Sequence, residues 1–252
     1  MADMHKINRV EVRNLQMEDY GQLAQSFTRV YADKDVFWTR EQIHKLIDIF
    51  PEGQIVTVVG ERIVGCALSI IVDYDMVKGD HTYAKVTGNE TFSTHNPKGN
   101  ILYGIEVFIH PDYRGLRLAR RMYDYRKELC EKLNLKAIMF GGRIPNYHKY
   151  ADRMRPKEYI DRVRSREIYD PVLTFQLSND FHVRRHGLVD GFAALQLAVK
   201  HLDNSVLCGV FSRCNKYSMK CRACQQRNKK NRAWLILPFW LTLRFKMILR
   251  RR

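Results

Sequence analysis

Cysteine is scarce where a fold would use it: only Cys66 and Cys130 fall before residue 200 of this 252-residue chain. Disulfides therefore cannot hold the front of the chain together, and that part reads as a reduced, cytoplasmic domain. Long apolar runs are missing as well. MADMHKINRVEV lacks the apolar core of a secretory leader, and no stretch reaches the ~20 apolar residues of a membrane span. Trp234 to Leu249 comes nearest, but it is interrupted by Arg244 and Lys246 and could at most lie on a membrane surface. Acidic residues are nearly absent from the end of the chain. From His182 onward there are 16 Lys+Arg against 2 Asp+Glu, whereas Met1 to Phe181 is almost balanced at 27 against 25. The net charge of +16 thus belongs to the tail, and no nucleic-acid role is expected of the main domain.

What is present is a sizeable core, 45% hydrophobic, in a chain long enough for one substantial α/β domain. Asn8 to Arg13 alternates as a half-buried strand. Tyr20, Leu23, Phe27, Val30 and Tyr31 form one helical stripe. Thr39 and Gln42 have the spacing of a capping box ahead of Ile43, Leu46, Ile47 and Phe50, a second helix stopped by Pro51 and Gly53. Gln54 to Val59, a turn at Gly60 and Glu61, and Arg62 to Tyr74 predict a hairpin. Asp75 to Asn100 turns polar and reads as a loop excursion from the core. Ile101 to His110 is the next strand, Leu116 to Leu133 a long helix, and Lys136 to Phe140 a short buried strand. Asn146 to Tyr169 is charged and partly helical. Asp170 and Pro171 start another helix, and Phe181 to Arg185 is a last short strand. There is no internal repeat.

The most informative stretch is LYGIEVFIHPDYRGLRLARRMYDYRKEL, Leu102 to Leu129, where a strand stops at proline and a glycine-bearing turn opens a helix. Amides at a helix N-terminus lack intrahelical partners and sit at the positive end of the helix dipole, so this geometry makes an anion site. Arg114, Arg117, Arg120 and Arg121 add charge around it. Without a ligand, the same stretch would be an ordinary strand–turn–helix connection.

This turn resembles the pyrophosphate loop of the GNAT superfamily of N-acetyltransferases, often written RGxGxA. The chain has Arg114-Gly115-Leu116-Arg117-Leu118-Ala119. Arg117 stands where the family usually has its second glycine, so its side chain must point outward or fold over a phosphate. The order of elements also follows the family: strand, two helices, three strands, helix, strand, helix, strand. IVDYD, LCEKLNLKAIMFGGRIPNYHKYAD and YDPVLTFQLSNDFHVRR are similar to the N-terminal GNAT domain of bacterial proteins that fuse it to a carbon–nitrogen hydrolase domain. No such second domain is recognisable here. The implied fold is α/β (α+β): a mixed, mostly antiparallel central sheet flanked by helices. It is expected over residues 1–185, with 186–252 as a separate basic, cysteine-containing tail.

The resemblance implies an N-acetyltransferase that moves an acetyl group from acetyl-CoA to a small-molecule or protein amine, without a metal. Arg114, Gly115, Leu116, Arg117, Leu118 and Ala119 would hold the pyrophosphate. The backbone of Val107, Phe108 and Ile109 would pair with the pantetheine arm. Glu106, a carboxylate within an apolar strand, is the candidate general base; the alternative is a Glu neutralised by a nearby Arg or Lys. Many family members carry a tyrosine acid on the helix after the fifth strand, where this chain offers Phe175 or Gln176. Tyr147 and Tyr150 are substitutes by position, His148 a solvated residue, and packing tyrosines the plainer reading. Asp73, Asp75 and Asp80 could attract a cationic amine.

Two other classes of function stay open at this point. One is an acyl-CoA-binding regulatory module without turnover. The other is a nucleic-acid- or zinc-binding protein acting through the tail, where Cys221 and Cys224 have half-site spacing and Lys229, Lys230 and Arg232 flank Trp234. Cys208 and Cys214, with five residues between them, fit zinc poorly. The change of character after Arg185 reads as an aberrant, frame-shifted continuation of a longer bifunctional protein.

Overall fold

The computed structural model describes residues 9–31, 38–189 and 192–200. Its spine is a seven-stranded sheet in the order β1-β2-β3-β4-β5-β7-β6. The strands are β1 (Val10–Asn14), β2 (Ile55–Val59), β3 (Arg62–Val72), β4 (Ile101–Ile109), β5 (Ala137–Arg143), β6 (His182–Val189) and β7 (Phe192–Lys200). All neighbours pair antiparallel except β4 and β5, which are parallel. This is the mixed, mostly antiparallel sheet expected from the sequence. The strand predicted to end at Arg185 runs on to Val189, and β7 inserts between it and β5, so the sheet continues past the change in composition. The tail from residue 201, with its four cysteines and the Trp234 to Leu249 segment, lies outside the described residues, as do the first eight positions.

Alternation on β3 divides the core. Cys66, Leu68, Ile70 and Val72 join one apolar cluster, with Leu23 and Phe27 from α1 (Tyr20–Val30) and Ile43 and Leu46 from α2 (Arg40–Ile49). Ile71 joins the opposite cluster with Leu102, Ile138 and Phe140. That side is covered by α5 (Leu118–Lys132), α6 (Pro156–Arg164) and α7 (Pro171–Ser178), through Tyr123, Tyr159, Ile160 and Leu173. Burying each such aliphatic side chain is worth roughly 1.5–3 kcal/mol, so a strand buried on both faces anchors the layers.

The capping box ahead of α2 forms in full: Gln42 N–H donates to Thr39 Oγ1 at 3.2 Å and Thr39 N–H to Gln42 Oε1 at 2.9 Å. The segment from Asp75 to Asn100 departs from its sequence reading. It holds two short helices, α3 (Tyr74–Val77) and α4 (Tyr83–Thr87), and buries Val77, Val86 and Phe92 in the first core cluster. It is a lid on that core, not an excursion from it.

His95, in the same segment, accepts a hydrogen bond at Nδ1 from the Ile71 amide at 3.1 Å, and its ring stacks on Phe50. Burial lowers its pKa below the usual imidazole range, so the folded state favours the neutral ring. The stability from this group is therefore complete above the ordinary imidazole pKa of ~6.5 and is lost as pH falls through the lower folded value. Thermal melts between pH 7.5 and 5 should fall less steeply in His95→Gln than in the parent chain.

Candidate active site

After β4 the chain turns through a single 3-10 turn at Pro111–Tyr113, and the His110 ring accepts from the Asp112 amide. Two positive-φ residues complete the turn, Gly115 at +86° and Arg117 at +58°. Arg117 is the N-cap of α5 and provides no side-chain cap. Leu118, 2% exposed, pins the first turn of the helix against Val59, Val64, Ile109 and Tyr113. The helix therefore starts two residues later than its apolar pattern suggests.

Among the described residues, no protein acceptor faces the amides of Gly115, Leu116, Arg117, Leu118 or Ala119. Arg114, Arg117, Arg120 and Arg121 are all exposed, and none belongs to an ion pair of the described residues. Free amides at a dipole end, ringed by guanidinium groups outside any ion pair, are suited to an anion. A left-handed arginine carries about 1–2 kcal/mol of backbone strain, against about 0.5–1 kcal/mol of extra chain entropy for a glycine there. Arg117→Gly is thus expected to stabilise the domain by roughly 0.5–1 kcal/mol, read from denaturant midpoints.

β4 and β5 pair only from Ile101–Ala137 to Gly104–Phe140. Beyond that point β5 pairs with β7 on its other side, while β4 stays with β3. The two parallel strands thus part at Gly104. The β3–β4 register also shifts here, Leu68 facing Glu106 and Ser69 facing Gly104, which makes Ile105 a bulged residue.

Glu106 sits just past the bulge, half-buried. Its Oε1 accepts from the Tyr31 hydroxyl at 3.0 Å and from the Val107 amide at 2.9 Å. Burial lifts its pKa above the usual carboxylate range, opposed by these two bonds, by a bond from Trp38 and by the Arg143 charge. No Lys or Arg forms an ion pair with it among the described residues, although the Arg143 charge acts on it from farther away. Of its strand neighbours, Phe108 is buried edge-on to Phe27, Ile109 packs on Leu118, and the Val107 amide is engaged by Glu106 itself.

Tyr147 stands apart from this group. Its hydroxyl donates to the Met154 carbonyl at 2.9 Å and its ring packs on Tyr159. Tyr150 also packs on Tyr159, Phe175 lies on Tyr123, and Gln176 is buried in α7. None of them contacts Glu106 among the described interactions. Tyr31 is the residue that sequence reasoning missed. In the sequence it is only part of a helical stripe, and 75 positions separate it from Glu106. Burial and the neighbouring carboxylate raise its pKa, so the phenol keeps its proton. No group of three or more metal-ligating side chains occurs among the described residues, and no helix among them is long and apolar enough to cross a membrane.

β4 thus parts from its parallel neighbour and leads into a turn whose amides lack a protein acceptor among the described residues, within a mixed α/β fold. The sequence profile of the acetyltransferase (GNAT) family matches residues 10–151, and the chain belongs to that family. It is 39% identical over 203 residues to the probable hydrolase YhcX of Bacillus subtilis, covering 77% of this chain and 38% of that one. It is 33% identical over 144 residues to the uncharacterized N-acetyltransferase YkwB of the same organism, covering 57% of this chain and 64% of that one. The chain therefore spans less than two thirds of the length of either relative. Among solved structures, the loading GNATL domain of CurA from Lyngbya majuscula has the same fold, with a TM-score of 0.65 at 19% identity, covering 77% of this chain and 98% of that one.

Proposed function

We propose that the chain transfers the acetyl group of acetyl-CoA to an amine, small-molecule or protein-borne. The observation that carries this reading is the turn at Gly115 to Ala119, whose amides have no protein acceptor and whose four flanking arginines have no counter-ion among the described residues. It leads directly from the strand that separates from β5. Membership of the acetyltransferase family supports it. The turn would hold the cofactor's diphosphate, and the β4 edge from Val107 to Ile109 would run alongside its pantetheine arm.

The chemistry follows from Glu106. An alkylammonium has a pKa of ~10.4 and must shed a proton before it can attack. The Glu106 carboxylate takes that proton while the amine nitrogen bonds to the thioester carbon. The C–S bond then breaks, and the departing thiolate needs a proton in turn. Tyr31, hydrogen-bonded to Glu106, is better placed than Tyr147 to pass one on, because the Tyr147 hydroxyl already serves a backbone carbonyl. A raised carboxyl pKa suits a base that works near neutral pH. Calorimetry with acetyl-CoA, followed by thiol release with a polyamine, an aminoglycoside, an amino acid and a peptide with a free N-terminus, tests the reading. Binding with thiol release from at least one amine supports it; no binding, or binding without release, contradicts it. Function within the cytoplasm belongs to the same proposal.

A further inference from the structure

Arg126, on the inner face of α5, is 1% exposed, and among the described residues it has no carboxylate in an ion pair. Its Nη2 donates to the Leu68 carbonyl at 2.7 Å and to the Glu106 carbonyl at 3.0 Å. Those two residues face each other across β3 and β4 at the register shift that makes Ile105 a bulge. One nitrogen therefore ties both strands at the point where the ladder is broken. Among the described residues its Nε and Nη1 find no partner, although they are fully buried.

For a group that served only to fill this space, methionine would be the more stable choice. Burying an uncompensated guanidinium costs several kcal/mol, and apolar residues of similar volume commonly match or exceed buried ions in stability. Gly104 reinforces the point. A Cβ there would lie 3.2 Å from Nη1 and 3.3 Å from the Phe140 Cβ, so the last residue of β4 paired to β5 is one that lets the guanidinium lie against the backbone. The charge thus rests beneath the place where the two strands part.

We propose that Arg126 is a positioning residue for acyl transfer, which clamps the β4 bulge so that Glu106 is aimed at the thioester and holds a fixed positive charge beneath the reacting carbonyl. The inference rests on the acyl-transfer reading of the site. Bridging two carbonyls fixes the backbone of Glu106 itself, and the charge favours both the ionised carboxylate and the oxyanion that forms on the thioester oxygen. A base displaced by about 1 Å is enough to cost on the order of 10²-fold in rate.

The test uses the full chain with acetyl-CoA and whichever amine of the panel gives the fastest thiol release. Arg126→Met, similar in length and uncharged, should lower kcat by about 10²-fold and leave KM for acetyl-CoA within about threefold. Carboxyl-13C NMR, with Glu106→Gln to assign the signal, should place the Glu106 titration midpoint higher in Arg126→Met than in the parent. Arg126→Lys, which keeps the charge and loses the two-carbonyl bridge, should return the midpoint and recover kcat to about one tenth of the parent. A folded Arg126→Met with kcat within threefold of the parent, or with an unmoved midpoint, overturns the proposal. If Arg126→Met does not fold, Arg126→Lys decides: a rate about tenfold down with an unmoved midpoint supports the clamp, and a parental rate overturns it. A parent chain that neither binds acetyl-CoA nor releases thiol defeats the transfer reading instead, a result separate from a parent that turns over beside an indifferent Arg126→Met.

Discussion

Glu106→Gln is expected to reduce kcat for amine acetylation by roughly 10²–10⁴-fold, the usual contribution of a positioned base. Acetyl-CoA affinity should stay within about twofold, since the glutamine still accepts from Tyr31 and Val107 and the turn proposed to hold the cofactor lies elsewhere. The same variant should gain stability at neutral pH. The folded-state pKa of Glu106 lies above its ordinary value because burial penalises the charged form. Its contribution to stability is therefore complete below the unfolded pKa of ~4.3 and is lost as pH rises through the higher folded value. Melting temperatures of parent and variant should converge near pH 4 and separate above it, with the variant higher at pH 7.5. A residue that gives up stability in order to be ionised is in keeping with a catalytic role.

The second large effect concerns the frame around the site. Asp170 is fully buried and serves four donors. Its Oδ1 caps α7 through the amides of Val172 and Leu173, while its Oδ2 accepts from the Tyr159 hydroxyl at 2.8 Å and the Asn146 amide at 3.1 Å. One carboxylate therefore fastens the start of α7, the middle of α6 and the chain leaving β5. Asp170→Ala removes a helix cap and orphans a buried phenol and a backbone amide, for a loss of about 3–5 kcal/mol in urea unfolding. That is a large part of the ~5–15 kcal/mol of a typical domain. Asp170→Asn, which keeps the acceptor oxygen for the cap, should lose less than half as much.

Features set by near neighbours along the chain are legible in the amino-acid order alone. The Thr39–Gln42 capping box and the Asp170–Pro171 helix start each depend on residues within four positions of one another and form as expected, and the turn between β4 and α5 is also local, although its helix starts two residues later than the apolar pattern suggests. The carboxylate proposed as the base is conspicuous in the sequence too, because it stands in an apolar strand. What surrounds it is not. The Tyr31 hydroxyl reaches Glu106 across 75 positions, a distance that no local pattern records. Arg126 lies on the buried stripe of α5 with Met122 and Cys130, at helical spacing in plain view. A charged residue on a helix is usually solvated, and only the break in the β3–β4 ladder gives this one a reason to be inside. Val77, Val86 and Phe92 anchor their segment at intervals of nine and six, a spacing that matches neither helix nor strand, so their burial leaves no periodic trace. Arg117 stands where the resemblance places a glycine, and its positive φ lies in the left-handed region that glycine adopts most readily.

Acyl transfer by this chain requires that the turn at Gly115 bind the cofactor. Acetyl-CoA titrated calorimetrically into the parent chain and into the double variant Arg114→Glu, Arg117→Glu is the most direct measurement, because both side chains are exposed and outside the core. Saturable binding by the parent and a loss of about tenfold or more in a variant that melts normally is the predicted result. No binding by the parent, or equal binding by both, would contradict it.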